Sequence, residues 1–245
     1  MEPTILYEDA NILVINKPSG LVVHDDGHAK EAGKIKEKNL VDWILKNYPQ
    51  IKDVGEPGRT ANGETVLRSG IVHRLDRETS GVMMIAKNQE TFEFLKDKFK
   101  NHNIEKTYHA FVYGQLKKTE DVIDRPIGRS SKDFRMWSAQ RGARGELREA
   151  ETHYKVLKSN KDYSFVEVKP KTGRTHQIRV HFKAISYPLV ADSVYAPNRE
   201  NNLGFVRLAL HSYCLSFADQ KGDTHTIVAP YPADFANALD LLQSY

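Results

Sequence analysis

Residues 70–87 (GIVHRLDRETSGVMMIAK) hold the densest set of groups able to do chemistry. A short apolar lead, Ile71 and Val72, runs into His73, Arg74, Asp76, Arg77 and Glu78. Ser80 and Gly81 then open an apolar run over residues 82–86. A charged loop held between two core strands is where a rigid scaffold places catalytic groups. Asp76 stands between Arg74 and Arg77, and nearby cations favour the ionised form of a carboxylate. A solvated turn with a local ion pair accounts for the same residues on physics alone.

A second concentration of charge lies downstream. Residues 169–183 contain five basic residues and two histidines, with no carboxylate. Residues 129–148 contain six basic residues against Asp133 and Glu146, with Phe134 and Trp137 among the arginines. After Ser216 the balance turns acidic: Asp219, Asp223, Asp234 and Asp240 stand against Lys221. One part of the molecule is therefore built to face anions, although the net charge of the chain is only +4. Aromatics interleaved with basic side chains can stack on bases while holding phosphates.

The elements that must position these groups are strands more often than helices. Strand-like runs occur at 4–7, 12–16, 82–86, 108–113, 154–157, 163–169, 207–217 and 224–228, several of them β-branched or aromatic and bounded by turn residues. Helical spacing is clear for Leu40, Trp43, Ile44 and Leu45, for Phe92, Leu95 and Phe99, and for Phe235, Ala238, Leu239 and Leu242. Ile178, Phe182 and Ile185 predict a fourth helix, with Thr175 as its N-cap and an end before Tyr187-Pro188. Residues 28–39 and 52–68 read as surface loops. The order is α+β rather than a regular βαβ alternation.

The chain of 245 residues is long enough for one large domain or two small ones, and residues 1–245 are read as one. Hydrophobic residues at 40% and charged residues at 28% exclude a collagen-like chain, a wholly disordered chain and a coiled-coil rod. No apolar run approaches the ~20 residues that cross a bilayer, and no membrane partner is expected. The opening MEPTILYEDA lacks the basic start of a secretory signal. Cys214 is the sole cysteine, which leaves no disulfide framework or cysteine-rich zinc site. A reducing cytoplasm is the expected address.

Four stretches together resemble the pseudouridine synthases, specifically the RluA-type branch. Asn16-Lys17-Pro18-Ser19-Gly20-Leu21-Val22-Val23-His24 resembles the family's first motif. The run from His73 to Gly81 resembles its catalytic motif. Glu105-Lys106-Thr107-Tyr108, followed by Ala110, Val112 and Gly114, resembles the segment bearing its active-site tyrosine. The run from Lys171 to His181 resembles its third motif. The four occur in the family's order over roughly Pro3 to Phe235.

The resemblance implies isomerisation of uridine in structured RNA, with ribosomal RNA the first expectation and transfer RNA the second. The N-glycosidic bond is cleaved, and the uracil is turned and rejoined to the same ribose through a carbon–carbon bond. No redox change occurs and no cofactor or metal is expected. The chain carries no phosphate-cradling glycine loop, dinucleotide fingerprint or metal-ligand cluster. Asp76 is implied as the nucleophile, with attack on ribose carbon 1′ or on the uracil ring both open. Arg179 is implied as the cation paired with it; Arg174 is the rival. Planar bidentate pairing suits an arginine to that place. Tyr108 is implied to lie against the uracil and handle a ring proton. Arg74 is implied to fill the space that the extruded base leaves.

Arg77, Lys171, Arg174, His176, Arg135 and Arg144 join Arg74 as expected RNA contacts, and residues 28–39 are a further candidate. His73, His176 and His181, in the company of arginine and lysine, read as hydrogen-bonding groups rather than metal ligands. Leu208 and Leu210 are either the aliphatic wall of the uracil pocket or ordinary core. The first motif begins by Asn16, which leaves no room for an N-terminal S4-like RNA-binding module, and no obligate protein partner is evident. In Leu189-Val190-Ala191-Asp192 an alanine stands where many relatives have glycine. The architecture implied is a single catalytic domain on a mixed, largely antiparallel sheet with flanking helices and a basic central cleft. Two competing readings are a non-catalytic RNA-binding protein with the same fold and a nucleoside hydrolase using Asp76 with Glu78.

Overall fold

A computed structural model describes residues 2–24, 38–59, 63, 65–66, 68–131, 133, 136–140 and 142–243. Residues 28–37 of the lysine-rich loop lie outside these, as do Phe134 and Arg135. The elements in chain order begin with β1 (Thr4–Glu8), β2 (Ile12–Lys17), α1 (Leu40–Asn47), β3 (Gly58–Arg59), β4 (Thr65–Val66), β5 (Ser80–Ala86) and α2 (Gln89–Lys100). They continue with β6 (Glu105–Tyr113), β7 (Glu120–Asp124), β8 (Ile127–Arg129), β9 (Trp137–Ser138), β10 (Arg144–Arg148), β11 (Glu151–Ser159), β12 (Tyr163–Pro170) and α3 (Gln177–Ala184). The last are β13 (Leu210–Ala218), β14 (Thr224–Val228) and α4 (Ala233–Gln243). The fold is α+β with mostly antiparallel strands, as the sequence pattern implies. Two compact units divide the chain, residues 1–104 with 215–229 and residues 105–214 with 230–245.

In the first unit the strand order is β1-β2-β5-β13, with β14 on β13. β5 is buried at every position and β2 at all but one, so these strands read as continuous apolar runs rather than alternating ones. They pair antiparallel from Ile12 with Ala86 to Lys17 with Gly81. Ile12, Val14, Val82 and Met84 join Phe92 and Leu95 of α2 and Leu215 and Phe217 of β13 in one core cluster. Each such side chain stabilises the fold by roughly 1.5–3 kcal/mol when fully buried. Asn88 caps α2 by accepting from the Thr91 N–H at 2.9 Å. Gly70 is needed where the chain enters β5. Its φ is +77°, and a Cβ there would stand 2.0 Å from the Ala86 carbonyl oxygen.

The second unit carries the order β13-β6-β12-β11-β7. β6 and β12 pair from Tyr113 with Tyr163 to Tyr108 with Val168, and their side chains alternate between two faces. Ala110, Val112, Val166 and Val168 pack with Ile178 and Phe182 of α3. Phe111, Tyr113, Tyr163 and Phe165 pack with Phe235, Ala238 and Leu242 of α4. Each helix therefore covers one face. Tyr108 falls on the face of α3 and packs against that cluster, while His109 points the other way, stacking on Tyr213 with ring centroids 4.1 Å apart. Leu208 and Leu210 are buried in the α3-side cluster, which makes them core residues. A separate three-stranded sheet, β10-β8-β9, also belongs to this unit.

The starts of two helices differ from the sequence expectation, and the 52–68 stretch read as a loop carries the short β3–β4 pairing. α3 starts at Gln177, and its N-cap is His176 rather than Thr175. The reason is that Gln177 organises this turn: its N–H donates to the Arg174 carbonyl at 3.1 Å, and its Oε1 accepts from the Arg174 N–H at 3.0 Å. Asn39, placed in a loop by its lysine-rich neighbours, is the buried N-cap of α1. It forms a capping box in which Asn39 and Asp42 each bond the other's backbone N–H.

Candidate active site

In the first unit, Asp76 lies half-buried on the loop that leads into β5, with Arg74 and Arg77 exposed on either side. The loop is held by its main chain. The Arg77 carbonyl accepts from the Gly20 N–H at 2.9 Å and from Lys17 Nζ at 3.1 Å. Ser19 Oγ donates to the Glu78 carbonyl at 2.7 Å, and the Thr79 N–H closes a turn onto the Asp76 carbonyl at 3.1 Å.

Lys17 is 0% exposed. Its Nζ also donates to the carbonyls of Pro18 and Leu21 at 3.0 and 2.9 Å. A buried ammonium costs several kcal/mol unless it is hydrogen-bonded in this way. On the other side of Asp76, His73 Nε2 accepts from the Met84 N–H at 2.9 Å, and its ring stacks on Phe99 at 4.5 Å. His73 is thus a brace of the loop. The sequence marks Lys17 and Ser19 as part of a motif but does not show that their task is to clamp the Asp76 loop. The signal available for Lys17 was its place at the end of the apolar run over residues 12–15, one residue beyond Asn16.

In the second unit the third motif forms the entry to α3. Gln177 gathers it: Oε1 accepts from Thr172 Oγ1 at 2.7 Å, and Nε2 donates to the Glu151 carbonyl and Thr152 Oγ1, both at 3.0 Å. Lys171 and Arg174 stand exposed on this loop, and Arg174 Nε donates to the Glu149 carbonyl at 3.0 Å. Lys106, on the strand that carries Tyr108, reaches the Thr172 carbonyl at 3.4 Å. Burial, with Lys171 nearby, pushes its ammonium down to about 8.

Arg179 points into a cage. Its Nε and Nη2 form a two-pronged pair with Asp192, both at 2.8 Å. The arginine side chain is 6% exposed and the aspartate 0%. Asp192 Oδ1 also accepts from the N–H groups of Val194 and Tyr195 at 3.0 and 2.9 Å. The Arg179 guanidinium carbon stands 5.0 Å from the Tyr195 ring centroid. The Tyr195 hydroxyl bonds His176 Nδ1 at 2.9 Å and accepts from the Trp137 N–H at 3.2 Å. His176 has a left-handed backbone, φ 55°, which costs an L-residue about 1–2 kcal/mol, and the Tyr195 bond helps hold it there. Asp192 and Tyr195 carry roles that spacing did not disclose. Asp192 entered the sequence reading only through the alanine before it.

The three-stranded sheet places basic side chains at the surface. Arg129, Arg144 and Arg148 are exposed, and the Arg129 guanidinium carbon lies 4.1 Å over the Trp137 ring. Arg135, the other arginine expected to bind RNA here, lies outside the described residues. No helix among the described residues is long and apolar enough to cross a membrane.

Comparison with known proteins decides the family. The model for RNA pseudouridylate synthase matches residues 11–184, a span that includes Asp76, Tyr108 and Arg179. The chain belongs to the RNA pseudouridylate synthase family. The synthase is similar to the uncharacterized RNA pseudouridine synthase YlyB of Bacillus subtilis, with 36% identity over 99% of this chain and 74% of that protein. It is 34% identical to ribosomal large subunit pseudouridine synthase D of Borreliella burgdorferi, over 94% of this chain and 66% of the relative. Its fold matches the solved structure of human RNA pseudouridylate synthase domain containing 4. The TM-score is 0.74 at 24% identity, covering 98% of this chain and 93% of that one. Family membership makes this protein an isomerase acting on RNA, in agreement with the four motifs.

Proposed function

We propose that the synthase isomerises uridine in large-subunit ribosomal RNA, with residues 1–245 acting as one catalytic domain. Asp76 is the nucleophile, Arg179 its partner cation and Tyr108 the residue against the uracil. The observation that carries this reading is the single family match running through all three residues. The Borreliella relative, a ribosomal large subunit pseudouridine synthase, supports the choice of RNA. The cytoplasm, where such RNA is made and assembled in bacteria, is the matching address.

The reaction balances within one nucleotide. The bond from ribose carbon 1′ to uracil N1 breaks, and the bond from carbon 1′ to uracil C5 forms. The C5 proton leaves and N1 ends protonated. Asp76 supplies the covalent partner that splits this exchange into two easier steps. Its loop is clamped through main-chain atoms, which holds the carboxylate in place before substrate arrives and so lowers the entropic cost of reaction. Tyr108 offers an apolar face for the base and a hydroxyl for the ring proton. Arg74 occupies the stack left by the extruded base, at a cost of a few kcal/mol for unstacking. Arg77, Lys171, Arg174, His176 and Arg144 are the proposed phosphate contacts, and counterion release from such contacts supplies affinity independent of sequence.

Incubation with uridine-containing RNA, followed by digestion to nucleosides, tests the activity. Pseudouridine is the expected product. Free uracil would point to a hydrolase, and unchanged RNA to a binding protein. Mapping pseudouridine across total RNA with and without the protein tests the substrate. Sites confined to transfer RNA would overturn the ribosomal assignment.

A further inference from the structure

The surface sheet of the second unit and the arginine cage share one small core. Ile127 of β8, Ala139 and Ala150 pack with Val180 of α3 and with Tyr195, and Trp137 of β9 lies against them. Val180 directly follows Arg179, so a shift of this core is a shift of the arginine's own helix. A chain of contacts runs through it. Arg129, exposed on β8, caps the Trp137 ring at 4.1 Å. The backbone N–H of Trp137 donates to the Tyr195 hydroxyl, and the Tyr195 ring lies beneath the Arg179 guanidinium. The same hydroxyl bonds His176, whose left-handed backbone sets where α3 begins.

We propose that Tyr195 is a positioning residue that couples RNA seated on the β8–β9–β10 sheet to the placement of Arg179. Phosphates drawn to Arg129, Arg144 and Arg148 engage the guanidinium that caps Trp137. The indole segment then sets the Tyr195 hydroxyl, and the tyrosine ring and backbone N–H set Arg179 and its carboxylate fork. Packed cores transmit small shifts because they lack voids to absorb them. The fit of the RNA on the sheet is thereby read at the arginine, which favours turnover on RNA that fills the sheet over RNA that only reaches the reactive loop. This rests on the reading that Arg179 serves the reaction.

The test is a double-mutant cycle on Arg129→Ala and Tyr195→Phe. Single-turnover pseudouridine formation is measured at saturating RNA, with RNA affinity measured in parallel. Tyr195→Phe keeps the ring under the guanidinium and removes only the hydroxyl. It is expected to lower the saturating rate by about tenfold and to change affinity less than about threefold. Arg129→Ala is expected to weaken binding and also to lower the saturating rate, by about fivefold. The double variant should be no slower than about tenfold, because both changes cut the same connection. A product of the two losses, about fiftyfold, would mean that sheet and arginine act independently and would overturn the proposal. So would a wild-type rate for Tyr195→Phe. Arg129→Ala alters only a surface side chain, so its rate decides the matter even if the tyrosine variant unfolds: weaker affinity with an unchanged saturating rate refutes the coupling. Arg179→Lys separates the two levels, since full activity in that variant removes Arg179 from the reaction itself.

Discussion

The Asp76 loop and the Arg179 cage hold their functional groups by opposite means. Around Asp76 the bonds run to main-chain atoms: the carbonyls of Arg77 and Glu78 accept from Lys17, Ser19 and Gly20. The side chains of the loop's own arginines, Arg74 and Arg77, stand exposed. Around Arg179 the bonds run side chain to side chain, through the Asp192 carboxylate and the Tyr195 ring, in a nearly dry interior. A main-chain clamp holds its loop whatever side chain the loop presents. A side-chain cage fails when any one member changes, because a buried charge is left without its counterpart.

The largest expected effect tests the first half of this contrast. Asp76→Asn should leave the folded structure and RNA affinity close to wild type while product falls below about a thousandth of the normal rate. Measurable turnover would remove Asp76 from its role. A collapse of the thermal midpoint would mean that the loop does depend on its side chains. The matching change in the cage behaves differently. Asp192→Ala takes the two-pronged carboxylate from the buried Arg179 guanidinium and the shared acceptor from two backbone N–H groups, at a cost of about 3–5 kcal/mol. Ser19→Ala, which removes one clamp bond, should cost only about 1 kcal/mol. Urea midpoints for the two variants read the difference directly, and equal losses would erase the contrast.

The second unit should also be the one that acid undermines. His109 is buried there, stacked on Tyr213 and bonded through Nδ1 to the Tyr231 hydroxyl at 2.5 Å. Burial, with His211 adding a smaller push, drives His109 down to about 4 from an ordinary 6.5. The folded state therefore keeps this ring neutral where the unfolded chain would protonate it. Its contribution is complete above pH 6.5 and is lost as pH falls from 6.5 toward 4. His109→Phe keeps the stack and removes the titration. It should be less stable at neutral pH, because Tyr231 loses its partner, yet flatter between pH 6.5 and 4. Parallel stability profiles for the two proteins would show that the acid sensitivity lies elsewhere.

Legibility in the sequence follows the same contrast. The eight strand-like runs became strands, because residues such as 82–86 carry their burial in an unbroken apolar pattern. β3, β4 and β7 to β10 were not anticipated; for β10 the reason is that it is exposed at every position, and no periodicity marks a strand without a buried face. The helix of Phe92, Leu95 and Phe99 was legible from spacing. The true caps, Asn39 and His176, were not, because a cap is fixed by which backbone turn it closes. Asp76, Tyr108 and Arg179 stood out through motif resemblance. Asp192 and Tyr195 did not, because they act by reaching across 13 and 16 residues onto another element. Such side-chain partnerships have no period to betray them.

The smallest expected effect lies in the cage's own turn. Ala191, just before Asp192, has φ 54°, a left-handed backbone that costs a residue with a Cβ about 1–2 kcal/mol. Ala191 therefore keeps the turn under a strain that glycine would not carry. Ala191→Gly relieves that strain, while the freer unfolded chain takes back about 0.5–1 kcal/mol. The net gain should be about 0.5–1 kcal/mol, readable as a higher urea midpoint with an unchanged slope. Turnover should be unaltered, because the Asp192 fork onto Arg179 is already formed with alanine in place. A loss of stability would show that the methyl group makes packing contacts worth more than the strain it imposes. A gain in turnover would show that the strained turn had been holding the carboxylate, and with it the arginine, slightly out of line.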